Sequence, residues 1–336
     1  MTSEGRETSG HACGKLILAG EHAVVYGVPA IALGIDRGAS ARARELAAGP
    51  SRLRITTWST EVTEDDGREL GRALASLLAS VRAGGPLPPL EIEAEAELPA
   101  GGGLGCSAAL GVAIARAASG FAADPGDARE HAMAWEKIFH GNPSGVDAAV
   151  AALGGTLQFV RDGERSHIEP ITARAPLVFA VGHSGTASST RSMVEAVARQ
   201  RAQRPAIVDK TFEGIGAVVS NARLAIEAGD RGALGKLLDL NQMLLAGLLL
   251  STQEIEAMCS SAREAGALGA KLTGAGGGGC VIALVESRPG AERVLSAWKG
   301  LSFEGFVAEL RAPSRERIVD LAEALPSRRQ PRSMER

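Results

Sequence analysis

The sequence predicts an α+β protein of two domains. The chain has 336 residues, 45% of them hydrophobic, so it is long enough to bury a large core and to form about two domains. Strand patterns dominate up to residue 175, and helical patterns dominate from Pro176 onwards. We therefore predict domains at residues 1–175 and 176–325, followed by a disordered, arginine-rich tail at residues 326–336.

Composition and charge argue against several classes of protein. A net charge of −3 and an aromatic content of 3% argue against nucleic-acid binding. The apolar runs are much shorter than the roughly 20 residues of a membrane span, and the polar N-terminus does not resemble a secretory signal. The 4 cysteines show no C-x-x-C spacing, which argues against disulfides and a zinc site. We expect a cytoplasmic protein with no nucleic-acid or membrane partner.

The first predicted strands surround a glycine turn that carries two polar residues. Lys15 begins an apolar strand, Glu21 and His22 lie in the turn, and residues 28–35 form the next strand. A lysine at this position could reach into a cleft, or it could only extend its ammonium group to solvent. Glu21 and His22 could likewise be a solvated pair, so the role of this segment stays open at this point.

A glycine-rich loop follows further strands and one helix. Residues 39–57 alternate as strands do, and residues 69–82 have the spacing of a helix. Residues 90–98 alternate apolar and acidic side chains, which is typical of a strand with one exposed face. This strand leads directly into the loop at residues 99–108, which opens an alanine-rich helix.

The composition of this loop suits phosphate binding. Four of the five positions from 101 to 105 are glycines, which allow the backbone to approach a ligand closely. The N-terminus of the following helix directs unpaired N–H groups and the positive end of the helix dipole to the same place. The alternative is a tight connection without a ligand, and the loop alone does not decide between the two.

Acidic residues follow the loop in patterns that also suit helix capping. Residues 127–130 have the spacing of a capping box that opens a helix carrying Glu136. Ser144 and Asp147 have the same spacing at the start of the next helix, so Asp147 could be a cap and no more. A strand at residues 156–161 follows that helix.

The second predicted domain begins with a buried strand and is mainly helical. Its strands are predicted at residues 176–181, 281–285 and 303–310, and its helices at residues 192–203, 206–227, 233–250, 252–266 and 291–300. Residues 274–279 match G-x-G-x-x-G, but a strand follows them where a dinucleotide-binding site requires a helix. A Walker loop is excluded as well, because the sequence contains no G-K-[ST].

Several stretches, taken together, resemble the GHMP kinase superfamily. The similar segments are the ATP loop at residues 99–109, the first motif at residues 14–15 and 20–27, and the third motif at residues 271–280. Within the superfamily, the segments that resemble members acting on mevalonate are residues 20–27, 140–147 and 239–242. The resemblance extends over residues 11–312 and is weakest at residues 45–90.

The resemblance implies a fold and a reaction. The expected fold has an N-terminal α/β domain, whose ATP loop lies over the sheet, and a C-terminal ferredoxin-like domain, with the active site in the cleft between them. The expected reaction uses ATP and Mg²⁺ to phosphorylate the primary alcohol of mevalonate in isoprenoid biosynthesis. The alternatives are a GHMP kinase acting on phosphomevalonate or homoserine, or a catalytically silent ligand sensor. The resemblance leaves open whether the protein is a monomer or a homodimer.

The resemblance also implies roles for individual residues. Lys15 and Asp147 are the expected catalytic pair, with Asp147 accepting the proton of the alcohol. The expected Mg²⁺ ligands are Ser107 and Glu136. The expected nucleotide-binding residues are Pro99, Gly101, Gly102, Gly103, Leu104, Gly105, Cys106, Ser107 and Ala108. The expected substrate residues are Glu21, His22, Ser144, Gly276 and Gly277. Glu21 would contact a hydroxyl of the substrate, and either His22 or an arginine would bind its carboxylate.

Cys106 departs from the pattern of the superfamily inside the ATP loop. A serine usually stands at this position, and a thiol is a poorer ligand than a hydroxyl for Mg²⁺, which prefers oxygen. The resemblance therefore assigns the metal to the hydroxyl of Ser107 at the next position.

Overall fold

The chain folds into two β-sheets with helices packed against them. The computed structural model describes residues 6–99, 101–141, 143, 145–162, 165–186 and 189–310. The N-terminal sheet has 7 strands and the C-terminal sheet has 4. None of the described helices is both long and apolar enough to cross a membrane. The predicted tail at residues 326–336 lies outside the described residues.

The N-terminal sheet is organised around its longest strand, β2. Its strands are β1 (Glu7–Ala19), β2 (Ala30–Glu45), β3 (Arg52–Ile55), β4 (Thr60–Thr63), β5 (Leu90–Ala96), β6 (Thr156–Asp162) and β7 (Arg165–Ile171). Strand β1 pairs with one edge of β2, and β5 and β6 pair with the two ends of its other edge, in the order β4-β3-β5-β2-β6-β7. The helices of this part are α1 (Glu69–Arg82), α2 (Cys106–Ser119), α3 (Ala128–His140) and α4 (Val146–Leu153).

Three of these strands differ from the sequence prediction, and one of them, β4, forms at residues 60–63, beyond the strands predicted for residues 39–57. Strand β1 starts at Glu7, well before Lys15, in a stretch of small and polar residues that lies directly under helix α2. The approach is so close that a Cβ atom at Gly10 would lie 2.2 Å from the Ala113 carbonyl oxygen. Strand β7 is not predicted because it is mostly polar and contains Pro170, which an edge strand tolerates.

The C-terminal sheet has the topology that the resemblance implies. Its elements are β8 (Leu177–His183), α5 (Thr190–Gln203), α6 (Pro205–Ala228), α7 (Arg231–Gly247), α8 (Gln253–Glu264), β9 (Gly269–Thr273), β10 (Cys280–Val285), α9 (Arg288–Gly300) and β11 (Glu304–Leu310). The strands are antiparallel in the order β11-β8-β10-β9, which is the ferredoxin-like arrangement. The chain passes from one sheet to the other between Ile171 and Leu177. The exact limits 1–175 and 176–325 stay a prediction.

The two sheets meet where the end of β1 lies against β9. Thr273 Oγ1 accepts a hydrogen bond from the Ile17 N–H at 2.9 Å and donates one to the Ile17 carbonyl oxygen at 3.1 Å. The two glycine-rich loops also approach each other here, since a Cβ atom at Gly103 would lie 3.2 Å from the Thr273 carbonyl oxygen. Folding thus brings the predicted ATP loop and the third motif together.

Candidate active site

A cavity of ≈ 390 Å³ opens between the two sheets, in the predicted cleft. Its polar wall on the N-terminal side includes Lys15, Glu21, His22, Glu136, Asp147 and Arg161. The opposite wall includes Arg191, Glu195, Gly274 and Ala275. Lysine, histidine, arginine and carboxylate side chains that are far apart in the sequence therefore converge on one space.

The predicted catalytic residues form an ion pair in this cavity. Lys15 Nζ lies 2.7 Å from Asp147 Oδ1, and the side chains of the two residues are 5% and 37% exposed. The Lys15 backbone N–H donates a hydrogen bond to the Leu104 carbonyl oxygen at 2.9 Å, which ties β1 to the glycine loop. The ammonium group is thus held by the protein, while the carboxylate remains accessible from the cavity.

Asp147 is not the helix cap that its spacing with Ser144 allows. Helix α4 begins at Val146, and its N-cap residue is Gly145, at φ 84° and without a side-chain capping hydrogen bond. Asp147 is the second residue of the helix, and its carboxylate accepts a hydrogen bond from Lys15. The capping-box alternative is therefore wrong for Asp147. Ser144, an expected substrate residue, lies outside the described residues.

The glycine loop enters helix α2 through backbone conformations that favour glycine. Gly101, Gly103 and Gly105 have φ values of 72°, 76° and 72°. Gly105 is the N-cap residue of α2, and the first helical hydrogen bond runs from the Ala109 N–H to the Gly105 carbonyl oxygen at 2.9 Å. The N–H groups of residues 106–108 therefore lack an acceptor within the helix and are directed towards the loop, as a phosphate site requires.

The expected metal ligands Ser107 and Glu136 lie side by side. Ser107 Oγ donates a hydrogen bond to Glu136 Oε1 at 2.5 Å, and Trp135 Nε1 donates one to Ser107 Oγ at 3.3 Å. Burial raises the pKa of Glu136 to about 7, the Ser107 hydrogen bond opposes this shift, and the Asp147 carboxylate adds to it. A buried carboxylate of this kind is unstable in its ionised form until a cation lies beside it.

This set of oxygen atoms suits Mg²⁺. Mg²⁺ in kinase sites is held by one or two protein ligands and completes its octahedron with phosphate oxygens and water. The hydroxyl of Ser107 and the carboxylate of Glu136 offer two adjacent oxygen ligands beside the glycine loop. In the described part of the chain no group of three or more His, Cys, Asp or Glu residues could hold a metal ion. The adjacent oxygen atoms of Ser107 and Glu136 thus fit a metal ion that also binds phosphate oxygens.

The Cys106 thiol packs beneath the loop. Its Sγ lies 3.7 Å from the Leu98 carbonyl oxygen, and the side chain is buried. Burial, with a further contribution from the Glu136 carboxylate, raises the pKa of the thiol to about 11. The side chain is therefore uncharged, and it is buried under the loop. The group that Cys106 can offer to a phosphate is its backbone N–H.

The turn after β1 holds its two polar side chains in internal contacts. Glu21 is 1% exposed, forms an ion pair with Lys271 and accepts a hydrogen bond from Asn241 Nδ2 at 3.1 Å. His22 Nε2 lies 2.8 Å from the Ala275 carbonyl oxygen, which assigns the ring proton to Nε2. Burial lowers the pKa of His22, and the Ala275 carbonyl and the Glu21 carboxylate oppose that shift.

The ring of His22, a residue that lines the cavity, has one nitrogen without a partner among the described residues. Its Nδ1 is buried and has no hydrogen-bond partner among the described residues. With the proton on Nε2, Nδ1 can accept a hydrogen bond but cannot donate one. A ring in this state can accept a hydrogen bond from a hydroxyl, whereas a carboxylate has no proton to donate to it.

The expected substrate glycines of the third motif, Gly276 and Gly277, are not among the residues that line the cavity. The Gly277 N–H donates to the Leu250 carbonyl oxygen at 2.7 Å, and a Cβ atom at Gly276 would lie 2.5 Å from the same oxygen. The residues of this loop that line the cavity are Gly274 and Ala275. The loop thus meets the cavity one to three positions before the expected residues.

Two segments of the chain match family models of GHMP kinases. Residues 70–155 match the GHMP kinases N terminal domain, and residues 222–301 match the GHMP kinases C terminal domain. The chain is 35% identical over 298 residues to the mevalonate kinase of Thermococcus sibiricus, a match that covers 82% of this chain and 88% of that protein. The chain belongs to the mevalonate kinase family.

Other members of the mevalonate kinase family agree with this assignment. The mevalonate kinase of Aeropyrum pernix is 34% identical over 320 residues, covering 91% of this chain and 96% of that protein. The structure of L. major mevalonate kinase in complex with R-mevalonate has a TM-score of 0.80 at 28% identity, covering 92% and 97% of the two chains. A Lactococcus lactis galactokinase has a TM-score of 0.74 at 18% identity, which shows the shared fold alone. The predicted GHMP kinase fold is confirmed.

The sequence does not single out two arginines that line the cavity of this family member. Arg161 lies on β6 and Arg191 lies in the first turn of α5. Arginine is abundant in the chain, and neither residue falls in a segment that carries the resemblance to the family. Their position on the cavity wall follows from the fold, so a sequence pattern offers no signal for them.

Replacing Gly105 with alanine is expected to lower turnover, beyond the loss of stability that an alanine causes at any left-handed position. An alanine there must keep a left-handed φ, which costs about 1–2 kcal/mol, and its Cβ would lie 3.3 Å from Lys15 Cβ. Gly49→Ala is the matched control, because Gly49 has a φ of 95° and nothing lies within 4 Å of its Cβ position. We expect similar losses of thermal stability, but a loss of turnover of about tenfold or more for Gly105→Ala alone. Equal turnover of the two variants would contradict this close approach.

Proposed function

We propose that this protein transfers the γ-phosphoryl group of ATP to the primary alcohol of mevalonate, which gives 5-phosphomevalonate. The observation that carries the proposal is the Lys15–Asp147 pair, 2.7 Å apart, in a cavity that Gly103 of the glycine loop and His22 also line. The names of the relatives in the family and the R-mevalonate in the L. major structure support the choice of substrate.

The glycine loop and the start of α2 are suited to bind the phosphates of ATP. The left-handed glycines let the phosphates approach the backbone, and the N–H groups of residues 106–108 can donate to phosphate oxygens. Ser107 and Glu136 would hold Mg²⁺ through their oxygen atoms, next to the phosphates. When bound, Mg²⁺ supplies positive charge to the phosphoryl oxygens as negative charge develops on them.

Asp147 is suited to accept the proton of the attacking alcohol. Its carboxylate is reached from the cavity, and its partner Lys15 keeps a positive charge beside it. The same ammonium group would stabilise the negative charge that develops on the alcohol oxygen during attack. Lys15 is 4% exposed, so water screens this interaction little.

Arg161 and Arg191 are suited to bind the carboxylate of mevalonate. Both line the cavity, and a guanidinium group can bind a carboxylate through two parallel N–H donors. His22 Nδ1 would accept a hydrogen bond from a substrate hydroxyl. Glu21 could not take the carboxylate, because its own negative charge would repel it.

A comparison of substrates tests this function. ADP release is measured with mevalonate, phosphomevalonate and homoserine under identical conditions. We expect kcat/KM for mevalonate to exceed the other two by at least about 100-fold, because the ammonium group of homoserine would face two arginines and phosphomevalonate carries an additional bulky dianion. Turnover of homoserine but not of mevalonate would refute the proposal. No turnover of any of the three would favour the ligand-sensing alternative.

A further inference from the structure

A buried ion pair joins the two domains beside the cavity. Lys271 on β9 pairs with Glu21 in the turn after β1, and their side chains are 0% and 1% exposed. Lys271 Nζ also donates to the carbonyl oxygens of Ile17 and Leu272, at 3.3 and 2.5 Å. The three N–H donors of the ammonium group thus have three acceptors inside the protein, which leaves none for ATP or substrate.

Glu21 is held by the C-terminal domain from two elements. One carboxylate oxygen contacts Lys271 on β9, and the other accepts a hydrogen bond from Asn241 on α7 at 3.1 Å. Burial lowers the pKa of Lys271, and the Glu21 carboxylate opposes that shift, so the charged state of the lysine depends on its partner. Removal of either partner would leave the other without compensation in a buried site.

Further contacts join the end of β1 and the turn that follows it to β9 and the loop after β9. Thr273 lies two residues after Lys271, so its side chain is on the same face of β9, and it exchanges two hydrogen bonds with Ile17. Two residues further on, the carbonyl oxygen of Ala275 accepts the Nε2 proton of His22. Alternate residues of one strand and its loop therefore contact the end of β1 and the turn that follows it.

His22 needs such support because of its backbone. Its φ is 59°, in the left-handed region that residues with a side chain rarely adopt. Conformations of this kind persist where surrounding contacts fix them, and they are common at functional sites. The ion pair of Glu21 acts on the residue immediately before His22, so it fixes the chain at the point where the unusual conformation begins.

We propose that the Lys271–Glu21 pair is an interdomain clasp that positions His22 for the substrate, so that Glu21 acts through the turn and not by contact with the substrate. The inference rests on the proposed function for the identity of that substrate. It gives Lys271 and Glu21 one shared role as positioning residues. It also replaces the substrate-contact role that the family resemblance implies for Glu21.

Single and double variants distinguish a clasp from a substrate contact. The variants are Glu21→Gln, Lys271→Met and the two combined. Arg263→Met is the control, because it breaks a partly exposed ion pair of 2.8 Å with Asp239, which binds the start of β9, and leaves the clasp intact. The measurements are KM for mevalonate, KM for ATP, and amide hydrogen exchange in residues 16–27 and 269–277.

A clasp predicts that the two single variants behave alike. Each should raise KM for mevalonate about tenfold or more, with KM for ATP within about twofold of wild type. Hydrogen exchange should become at least about tenfold faster in both segments, because each loses its anchor on the other. The double variant should be no worse than the more affected single variant, since the two residues act as a unit. Arg263→Met should match wild type in all measurements.

A direct substrate contact predicts a different result. In that case Glu21→Gln raises KM while exchange in residues 269–277 stays at the wild-type rate, and this outcome overturns the proposal. If Lys271→Met does not fold, Glu21→Gln carries the same test, because glutamine keeps the size of the side chain but removes the charge that compensates Lys271. Faster exchange in both segments supports the clasp even if mevalonate is not the substrate. If the wild-type protein phosphorylates mevalonate but hydrogen exchange in the variants is normal, the clasp is refuted and the proposed function is not.

Discussion

Replacing Asp147 with asparagine is expected to lower kcat by about 10²- to 10⁴-fold, the usual contribution of a general base. The asparagine side chain has the same shape and can still accept a hydrogen bond from Lys15 Nζ, which lies 2.7 Å from the carboxylate, but it cannot take the proton of the alcohol. ATP affinity should stay nearly unchanged, because the glycine loop and α2 are untouched. Coupled ADP release measures kcat, and calorimetry measures ATP affinity.

Glu195→Gln is the matched control for this variant. Glu195 is another carboxylate on the cavity wall, but its side chain is 59% exposed and lies 3.9 Å from Arg199. We expect nearly wild-type kcat for it, since it has no contact with Lys15. Nearly normal turnover of Asp147→Asn would show that the proton leaves to another group. A loss of ATP affinity in that variant would show that Asp147 acts on the nucleotide.

Glu136→Gln is expected to lower kcat by about 100-fold and to raise the Mg²⁺ concentration needed for half-maximal activity about tenfold. Glutamine preserves the volume of the side chain and can accept the hydrogen bond of Ser107, which is 2.5 Å long in the wild type. It removes the negative charge that would hold the metal. A titration of activity with Mg²⁺ measures the shift, and Glu130→Gln, at an exposed position of the same helix, is the control. An unchanged Mg²⁺ requirement would remove Glu136 from the metal site.

The same variant has an expected effect on the metal-free protein. Burial raises the pKa of Glu136 from 4.5 to about 7, so between these pH values the folded protein keeps a proton that the unfolded chain has lost. Stability therefore falls as the pH rises through this window, by up to about 3 kcal/mol. Glu136→Gln should abolish this fall and unfold at a higher temperature than wild type at pH 8. Glu130→Gln should follow the wild-type profile.

Elements with strong local signals are predicted well. Helix α1 spans Glu69–Arg82 as its spacing predicts, because its buried alanine and leucine residues recur on one face. The strand, glycine loop and helix from residue 90 to residue 119 also follow in the predicted order. These features depend on periodicity and backbone freedom within a few residues. The same holds for the motifs through which the chain resembles its family.

Features that depend on distant partners are not predicted. Strand β7 forms because β6 offers it an edge, and its own sequence is mostly polar. The start of β1 is a strand because β2 pairs with it and α2 covers its small residues. Asp147 has the spacing of a cap, yet Lys15, 132 positions away, takes its carboxylate.

The α+β class and the glycine loop follow from the sequence, because each depends on a short local pattern, and the expected catalytic residues follow from the resemblance of short motifs to the family. The environment of those residues follows from the folded chain. Lys271 and Asn241, 250 and 220 positions from Glu21, take up its two oxygens and remove it from water. The Ala275 carbonyl, 253 positions from His22, selects the tautomer of its ring. A local pattern can place a carboxylate or an imidazole in a turn, but burial and partners determine what that group can donate or accept.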